Sequence, residues 1–379
     1  MRILYGVQGT GNGHLTRARA MAKAFRQIEH VEVDFLISGR RRETLFDVEV
    51  LGDYMWRQGL SFATRNGKVS VIDTVSLNPW WHFWQDVRNL DLSPYDLVVS
   101  DFEPVSAWAA KRGGLPSIGI GRQYAFCDAH PSLPISSLQR AMVRQFAPVD
   151  LPLGTHWQPL SASTLPPIIE PMCAEGQRVL DHHYLVYLPF ESLSSIQHWL
   201  HELAAAAPRC NFVVFHPDAV AATTVNACYS APSCTAFRHA FAQAAGVITN
   251  AGFGTSSEAL RAGKKLLVKP LIGQFEQVAN AHYLASQGLA ETTTVLNSRV
   301  VERWLTNDTY SQIVWPSVAE PLAQWLGDVK REPIEQLAAR LWDDCRVQGR
   351  PVNQHRKCVP SHSKAHFKGR LNGISAAAK

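Results

Sequence analysis

Paired cysteines, long apolar runs, charge, and glycine–proline repeats are all scarce in this chain. Each scarcity removes a class of function. Seven cysteines are spread over 379 residues, and none stands in a Cys-x-x-Cys pair. That argues against zinc-ribbon and thioredoxin-like chemistry and leaves reduced, buried thiols of a cytosolic protein as the expectation. No apolar run approaches the roughly 20 residues a membrane-spanning helix needs. The opening MRILYGVQGTGNGH has one arginine and a short strand-like run, so no secretory leader is expected. Charged residues are 18% against 46% hydrophobic, which excludes disorder, and 24 Gly with 22 Pro are too few for a fibre.

Acids are missing from one place. Residues 346–379 hold eight Lys and Arg and no Asp or Glu. The net charge of +5 therefore belongs to that segment, because the rest carries 29 bases against 32 acids. A body of that balance does not grip a phosphate backbone, so no nucleic-acid partner is expected. The segment itself reads as a basic, disordered tail.

What is present is alternation. RILYGVQ (2–8) reads as a buried strand. A glycine-rich turn follows, then a helix over 14–29 whose Leu15, Ala18, Met21, Ala22 and Phe25 repeat at spacings of three and four. VEVDFLIS (31–38), YDLVVSD (95–101) and SIGIG (117–121) continue a parallel α/β pattern. Six prolines fall within 147–172 and mark the approach to a linker. The alternation then restarts with YLVYLP (184–189), NFVVFH (211–216), GVITN (246–250) and KLLVKP (265–270). The expectation is α/β: a Rossmann-like domain over 1–170, a second over 171–345, a tail over 346–379, and a ligand cleft at the carboxyl ends of the strands.

Two motifs lie at such strand ends. Gly9-Thr-Gly11-Asn-Gly13-His14 joins the first strand to its helix, where glycines permit a sharp turn and helix N–H groups face the ligand space. It differs from a dinucleotide fingerprint. The spacing is G-x-G-x-G, and Gly39-Arg40-Arg41-Arg42 stands where a ribose-binding acid would end the second strand. An NADP 2′-phosphate on those arginines stays open, as does a turn with no ligand. The second motif is more specific. After Asn250, the small-residue turn Ala251, Gly252, Gly254, Thr255, Ser256 opens a helix with Glu258 one turn inside. Pro270 and a loop with Gln274, Glu276 and Gln277 follow, then Asn280. Amides and hydroxyls at the first turn suit a diphosphate. A nearby carboxylate suits the two hydroxyls of a ribose, and an acid–amide pair suits those of a hexose.

These residues resemble the GT-B glycosyltransferases. The likeness is to the group of the peptidoglycan N-acetylglucosaminyltransferase and the plant diacylglycerol galactosyltransferases, of family 28 or family 1 type. It rests on Gly11-Asn-Gly13-His14, on Gly252-Phe-Gly254-Thr255-Ser256-Ser257-Glu258, on Pro270 and on Glu276-Gln277-Val-Ala-Asn280-Ala281. SDFEPVSAWAA (100–110) and GQFEQVANA (273–281) are closer still to a set of uncharacterised bacterial and archaeal glycosyltransferases. The resemblance covers about 1–345 and implies two Rossmann-like domains facing across a cleft. It implies Glu258 on the ribose, Gly252, Gly254, Thr255 and Ser256 at the diphosphate, and Glu276 and Gln277 on the donor sugar, with Asn250, Gln274 and Asn280 in the same donor group. His14, Asp101 and Glu103 fall on the acceptor side, with Gly11 and Gly13 beside them and Gln123 lining the cleft. Many relatives carry His or Arg-Ser where Asn250-Ala251 stands here, so a cation that would help neutralise the leaving phosphate is missing; Lys269 or a tail residue is the candidate substitute.

The implied reaction moves a hexose or N-acetylhexosamine from a UDP-sugar to a saccharide or lipid-linked acceptor, inverting and without metal or other cofactor. The acceptor hydroxyl must lose a proton as it attacks. His14 is the first candidate base. Asp101 is the second, as base or as the group orienting an imidazole, and its alternative is a helix N-cap. An epimerase of the same fold and a non-catalytic sugar-nucleotide binder remain open. The aromatic run Asn78-Pro-Trp80-Trp81-His82-Phe83-Trp84 reads as a packed helix or as a sugar or lipid contact. With Arg40-Arg41-Arg42 and the tail, it leaves peripheral contact with the inner membrane face open for a cytoplasmic protein. The histidines lack metal-ligand spacing, so no metal is expected.

Overall fold

The computed structural model describes residues 1–61, 64–65, 68–69, 80–128, 130–131, 133–170, 178–307 and 310–350. Its first sheet grows around β1 (Arg2–Gln8), buried from Ile3 onward. A central parallel strand is covered on both faces, so it needs an unbroken apolar run rather than an alternating one. β2 (Glu32–Ser38) and β3 (Tyr54–Trp56) lie on one side of it; β4 (Leu97–Asp101), β5 (Ser117–Gly121) and β6 (Leu151–Gly154) lie on the other. The order is β3-β2-β1-β4-β5-β6, all parallel. The second sheet holds β7 (His183–Tyr187), β8 (Asn211–Phe215), β9 (Ala222–Thr223), β10 (Ala227–Ser230), β11 (Gly246–Asn250), β12 (Lys265–Lys269) and β13 (Glu291–Thr292). Their order is β9-β10-β8-β7-β11-β12-β13, and β9 alone among these described strands is antiparallel to its neighbour.

Helices α1 (Asn12–Phe25), α2 (Trp80–Asn89), α3 (Pro104–Gly113) and α4 (Ser137–Phe146) accompany the first sheet. Helices α5 (Leu193–Ala206), α6 (Cys234–Gln243), α7 (Phe253–Arg261), α8 (Phe275–Ser286) and α9 (Ser298–Thr306) accompany the second. In each sheet the strand order reverses beside the first strand, between β1 and β4 and between β7 and β11. Such reversals open a crevice at the carboxyl strand ends. The residues that end or follow these strands, His14, Asp101 and Glu258 among them, are therefore brought to the crevice by topology.

The chain does not stay in the second half to residue 345. Helices α10 (Ala319–Gly327) and α11 (Ile334–Asp343) return to the first domain, where Leu322, Leu326, Leu337 and Leu341 share a core with Ile3, Met21 and Phe25. Their apolar stripes find an open face on α1, and a Cβ on Gly327 would stand 2.6 Å from the Val31 side chain. The expected tail also starts too early. Arg346–Arg350 forms β15, pairing antiparallel with β14 (Tyr310–Val314) from Tyr310↔Arg350 to Val314↔Arg346. The tail's remaining basic residues, from Arg356 onward, lie outside the described residues. Uniform burial of the thiols fails too: Cys127 and Cys210 are buried, but Cys228 is exposed and Cys234 and Cys345 are half-buried. Cys173 and Cys358 lie outside the described residues.

Candidate active site

β4 delivers Asp101 to the crevice fully buried. The next residue, Phe102, has φ +54°, a left-handed backbone that is uncommon for a bulky side chain. At this tight turn Asp101 and Glu103 go to different partners. Asp101 faces α1, where His14 and Arg17 stand one turn apart. Its Oδ1 lies 2.7 Å from His14 Nδ1, and its Oδ2 accepts from Arg17 Nε at 2.7 Å. Arg17 Nη2 also donates to Oδ1, making the guanidinium bidentate. Burial by itself would raise the Asp101 pKa. The Arg17 charge and then the His14 ring outweigh it and hold the carboxyl below its ordinary range. An ionised Asp101 accepts a hydrogen bond from His14 Nδ1–H, which leaves Nε2 as the ring's acceptor. That nitrogen lies 3.5 Å from Gln123 Nε2, and the imidazole is 11% exposed. Gly121, with φ +150°, makes room: a Cβ there would stand 3.1 Å from Arg17 Nη2 and 3.5 Å from Asp101 Oδ1.

Glu103 takes a different place from the one expected. It is the N-cap of α3, fully buried, not an acid facing the acceptor. Its Oε1 accepts from Val105 N at 2.8 Å and from Ser38 Oγ at 2.5 Å, and its Oε2 accepts from Ser106 N at 2.7 Å. Burial raises its pKa, and the hydrogen bonds from Ser106 and Ser38 only partly oppose that. The capping role offered to Asp101 thus belongs to its neighbour two residues on, because the helix begins at Pro104 and a cap must sit just before it.

On the opposite wall, α7 starts at Phe253 with Gly252 as its N-cap and no side chain capping it. The N–H groups of its first turn are left for a ligand. The two domains meet here. A Cβ on Gly254 would lie 3.5 Å from Gly13 Cα, so two glycine backbones approach closely. Asn12 Nδ2 donates to Tyr187 Oη at 3.0 Å, and Gln123 Nε2 donates to Glu276 Oε2 at 2.9 Å. A cavity lies at the Asn12–Tyr187 contact, lined by Asn12, Gly13, Tyr187, Gly254, Thr255 and Glu258, with Arg19 and Arg238 at its side. Glu258 is 8% exposed, and its pKa is pushed up to about 8. Burial is the main cause; Arg19 and Arg238 oppose it, and Glu170 adds to it. Both arginines are already engaged by Glu170, which also binds Lys23.

Several donor-group residues prove to support the wall rather than face the cavity. Ser256 is fully buried. Gln277 is buried, and its Oε1 accepts from Leu271 N at 2.8 Å, bracing the loop before α8. Asn280 is buried, donates to Ala251 O at 3.0 Å and accepts from Arg122 Nε at 2.9 Å. Asn250 is buried and donates to Lys269 O at 3.0 Å. Ala281, Tyr283 and Leu284 of α8 share a core with Val247 and Val268, so the amides of Gln277 and Asn280 are engaged within the wall. Glu276 and Gln274 stay half-buried at the cleft side, and Gly11 is half-buried beside His14. Lys269 is paired with Glu191 and is not the missing cation.

The sequence reading missed Arg17, Arg19, Arg122, Glu170, Tyr187 and Arg238. Arg17 had a signal, since His14-Leu-Thr-Arg17 puts both on one face of a helix. The others meet only through tertiary structure. Arg40 bonds Asn12 Oδ1 at 2.9 Å and so stands at the cleft rim. In α2 only Phe83 of the aromatic run is buried; Trp80, Trp81 and Trp84 are exposed, and Asn78 and Pro79 lie outside the described residues. Among the described residues, no three His, Cys, Asp or Glu side chains are grouped to hold a metal, and no helix is long and apolar enough to cross a membrane.

Residues 1–308 match the family described as Glycosyl transferase family 1. The fold is similar to the solved glycotransferase of kitacinnamycin (TM-score 0.55, 13% identity, 80% of this chain and 89% of that one). It is similar to the glycosyltransferase SsfS6 of Streptomyces sp. SF2575, complexed with thymidine diphosphate (TM-score 0.51, 15% identity, 90% and 94%). It is also similar to the glycosyltransferase SnogD of Streptomyces nogalater (TM-score 0.50, 16% identity, 90% and 99%). A comparison with curated proteins finds no match. At these identities the structures establish the GT-B fold, in accord with the two facing sheets. With the family spanning both strand-end motifs, the chain belongs to glycosyl transferase family 1.

Proposed function

We propose that the protein moves a hexose or N-acetylhexosamine from a UDP-sugar to a hydroxyl of a saccharide or lipid-linked acceptor, inverting the anomeric carbon and using no metal. The observation that carries this reading is the part-buried His14 held by the buried Asp101, next to Gly13, whose backbone approaches Gly254 at the uncapped start of α7. His14 Nε2 takes the acceptor proton. The acceptor oxygen bonds the anomeric carbon as the bond to the diphosphate oxygen breaks, and the electron pair leaves with the nucleotide. Amides of the first turn of α7 receive that charge. A single displacement inverts the centre. A binding protein has no use for an oriented base at this place, which favours turnover, and an epimerase would release UDP without an acceptor. SsfS6, seen with thymidine diphosphate, supports the nucleoside diphosphate class.

A thermal-shift and calorimetric screen of UDP, TDP, GDP and NADP tests the donor. UDP is expected to stabilise the chain, and Glu258→Ala to weaken UDP by about 10- to 100-fold, the scale of a lost hydrogen bond to a charged or buried acid. Stabilisation by NADP alone overturns the reading; an unaltered UDP affinity in Glu258→Ala removes the ribose role. The same proposal has the protein work in the cytoplasm, in peripheral contact with the inner membrane face. Trp80, Trp81 and Trp84, exposed on α2, support that contact, since tryptophan favours the membrane interface. Co-sedimentation with anionic vesicles should fall when the three are replaced by serine, and no change would remove the membrane contact.

A further inference from the structure

The donor loop carries no cation of its own. Residues 250–257 hold no Lys, Arg or His, and Lys269 is paired with Glu191. Glycosyl transfer nonetheless releases a diphosphate with added negative charge, and Arg19 and Arg238 at the side of the cavity are already paired with Glu170.

A guanidinium stands behind the same loop, contributed by the other domain. Arg122 follows β5 directly and is 1% exposed. Its Nε donates to Asn280 Oδ1 at 2.9 Å, and Asn280 Nδ2 in turn donates to Ala251 O at 3.0 Å. Its Cζ lies 5.4 Å from the centre of the ring of Phe253, the first residue of α7, and 4.3 Å from that of Phe126. The two remaining nitrogens, Nη1 and Nη2, are buried without a hydrogen-bond partner among the described residues. That is a costly state. A buried donor left unpaired costs roughly 1–3 kcal/mol, and more when charged. Burial accordingly lowers the Arg122 pKa to about 10, with Glu276 and Tyr283 opposing the fall, and the group is still cationic at neutral pH. Buried charged groups in folded proteins are as a rule hydrogen-bonded, and of the buried side chains left with an unpartnered atom among the described residues Arg122 is the one that carries a positive charge, so its two free nitrogens mark a place that an anion completes. Its chemistry selects an anion, and its tether to Ala251 and its contact with Phe253 set that anion at the start of α7.

We propose that Arg122 is the cation that receives the leaving diphosphate, reaching the donor loop from the acceptor-side domain. This rests on the donor reading given above. As the bond from the anomeric carbon to the diphosphate oxygen breaks, the electron pair goes to that oxygen, and Nη1 and Nη2 donate to phosphate oxygens. Nothing is oxidised, and the acceptor's proton passes to His14. Because the cation comes from one domain and the amides from the other, the full phosphate site exists only when the two walls meet.

The test compares UDP with uridine by calorimetry on the full chain, with uridine followed by competition. Arg122→Met is expected to weaken UDP about 10- to 100-fold, to leave uridine unchanged, and to lower kcat more than it raises KM. Arg122→Lys should recover part of the UDP affinity. If Arg122→Met does not fold, Arg122→Lys carries the comparison, with a smaller UDP loss and uridine still unchanged. UDP binding at the wild-type level, or equal losses for UDP and uridine, would overturn the proposal and leave Arg122 as a scaffold residue. Failure of the donor reading looks different: wild-type protein then binds no nucleoside diphosphate, and the Arg122 assignment falls with it.

Discussion

Replacing His14 with alanine is expected to lower turnover by about 10²- to 10⁴-fold while donor affinity stays unchanged. The size follows from what the imidazole is placed to do. Asp101 accepts a hydrogen bond from Nδ1–H at 2.7 Å and holds the proton there, so the other ring nitrogen is the base on the cleft side. Without it, the acceptor hydroxyl must attack while still protonated. The donor contacts proposed above lie on α7 and do not include the imidazole, so binding and chemistry are expected to separate. Steady-state kinetics with a calorimetric titration of UDP reads both. Intact turnover would take the base role from His14. It would not pass to Asp101, whose two oxygens are engaged by His14 and Arg17 in a fully buried setting. A group elsewhere on the cleft would then be required.

The positions of His14, Asp101 and Glu258 could be read from the chain because Asp101 ends an apolar run and His14 and Glu258 lie in the first turns of helices that follow one, and parallel strands deliver their ends to one crevice. The roles of their neighbours could not. Asp101 and Glu103 are two residues apart in SDFEP, and nothing local says which caps the helix. The backbone at Phe102 decides it. Gln277 looks like a sugar ligand in sequence and Asn280 like a member of the donor group, yet their amides are turned toward Leu271 N and Ala251 O. Arg122 and Asn280 are 158 residues apart, and only closure of the cleft joins them. The same holds for Glu170, whose three cations come from α1 and α6. The end of the chain misled for another reason. Apolar periodicity shows that α10 and α11 need a core, not which one, and their core is that of the first domain.

Asp101→Asn is expected to cost activity and stability together, by separable causes. Activity should fall about 10³- to 10⁴-fold, the scale on which other histidine–carboxylate pairs suffer when the orienting carboxylate is neutralised, because an amide can fix the wrong tautomer. Stability should fall because Arg17 is left buried with its charge uncompensated, a loss of about 3–5 kcal/mol for a broken buried pair. The pH dependence has a definite sign. The folded-state pKa of Asp101 lies below its ordinary value, so its stabilising contribution is complete above about pH 4 and is lost as pH falls through the lower folded value. Urea titrations of the two proteins should therefore differ most near neutrality and converge in acid. Adding Arg17→Met to Asp101→Asn removes the stranded charge as well. That double variant should regain much of the stability, since a buried pair replaced by neutral groups is often tolerated. It should regain none of the activity, because His14 still lacks its orienting carboxylate. Recovery of turnover in the double variant would mean that Asp101 serves only to balance Arg17, and the base would then owe its orientation to something else.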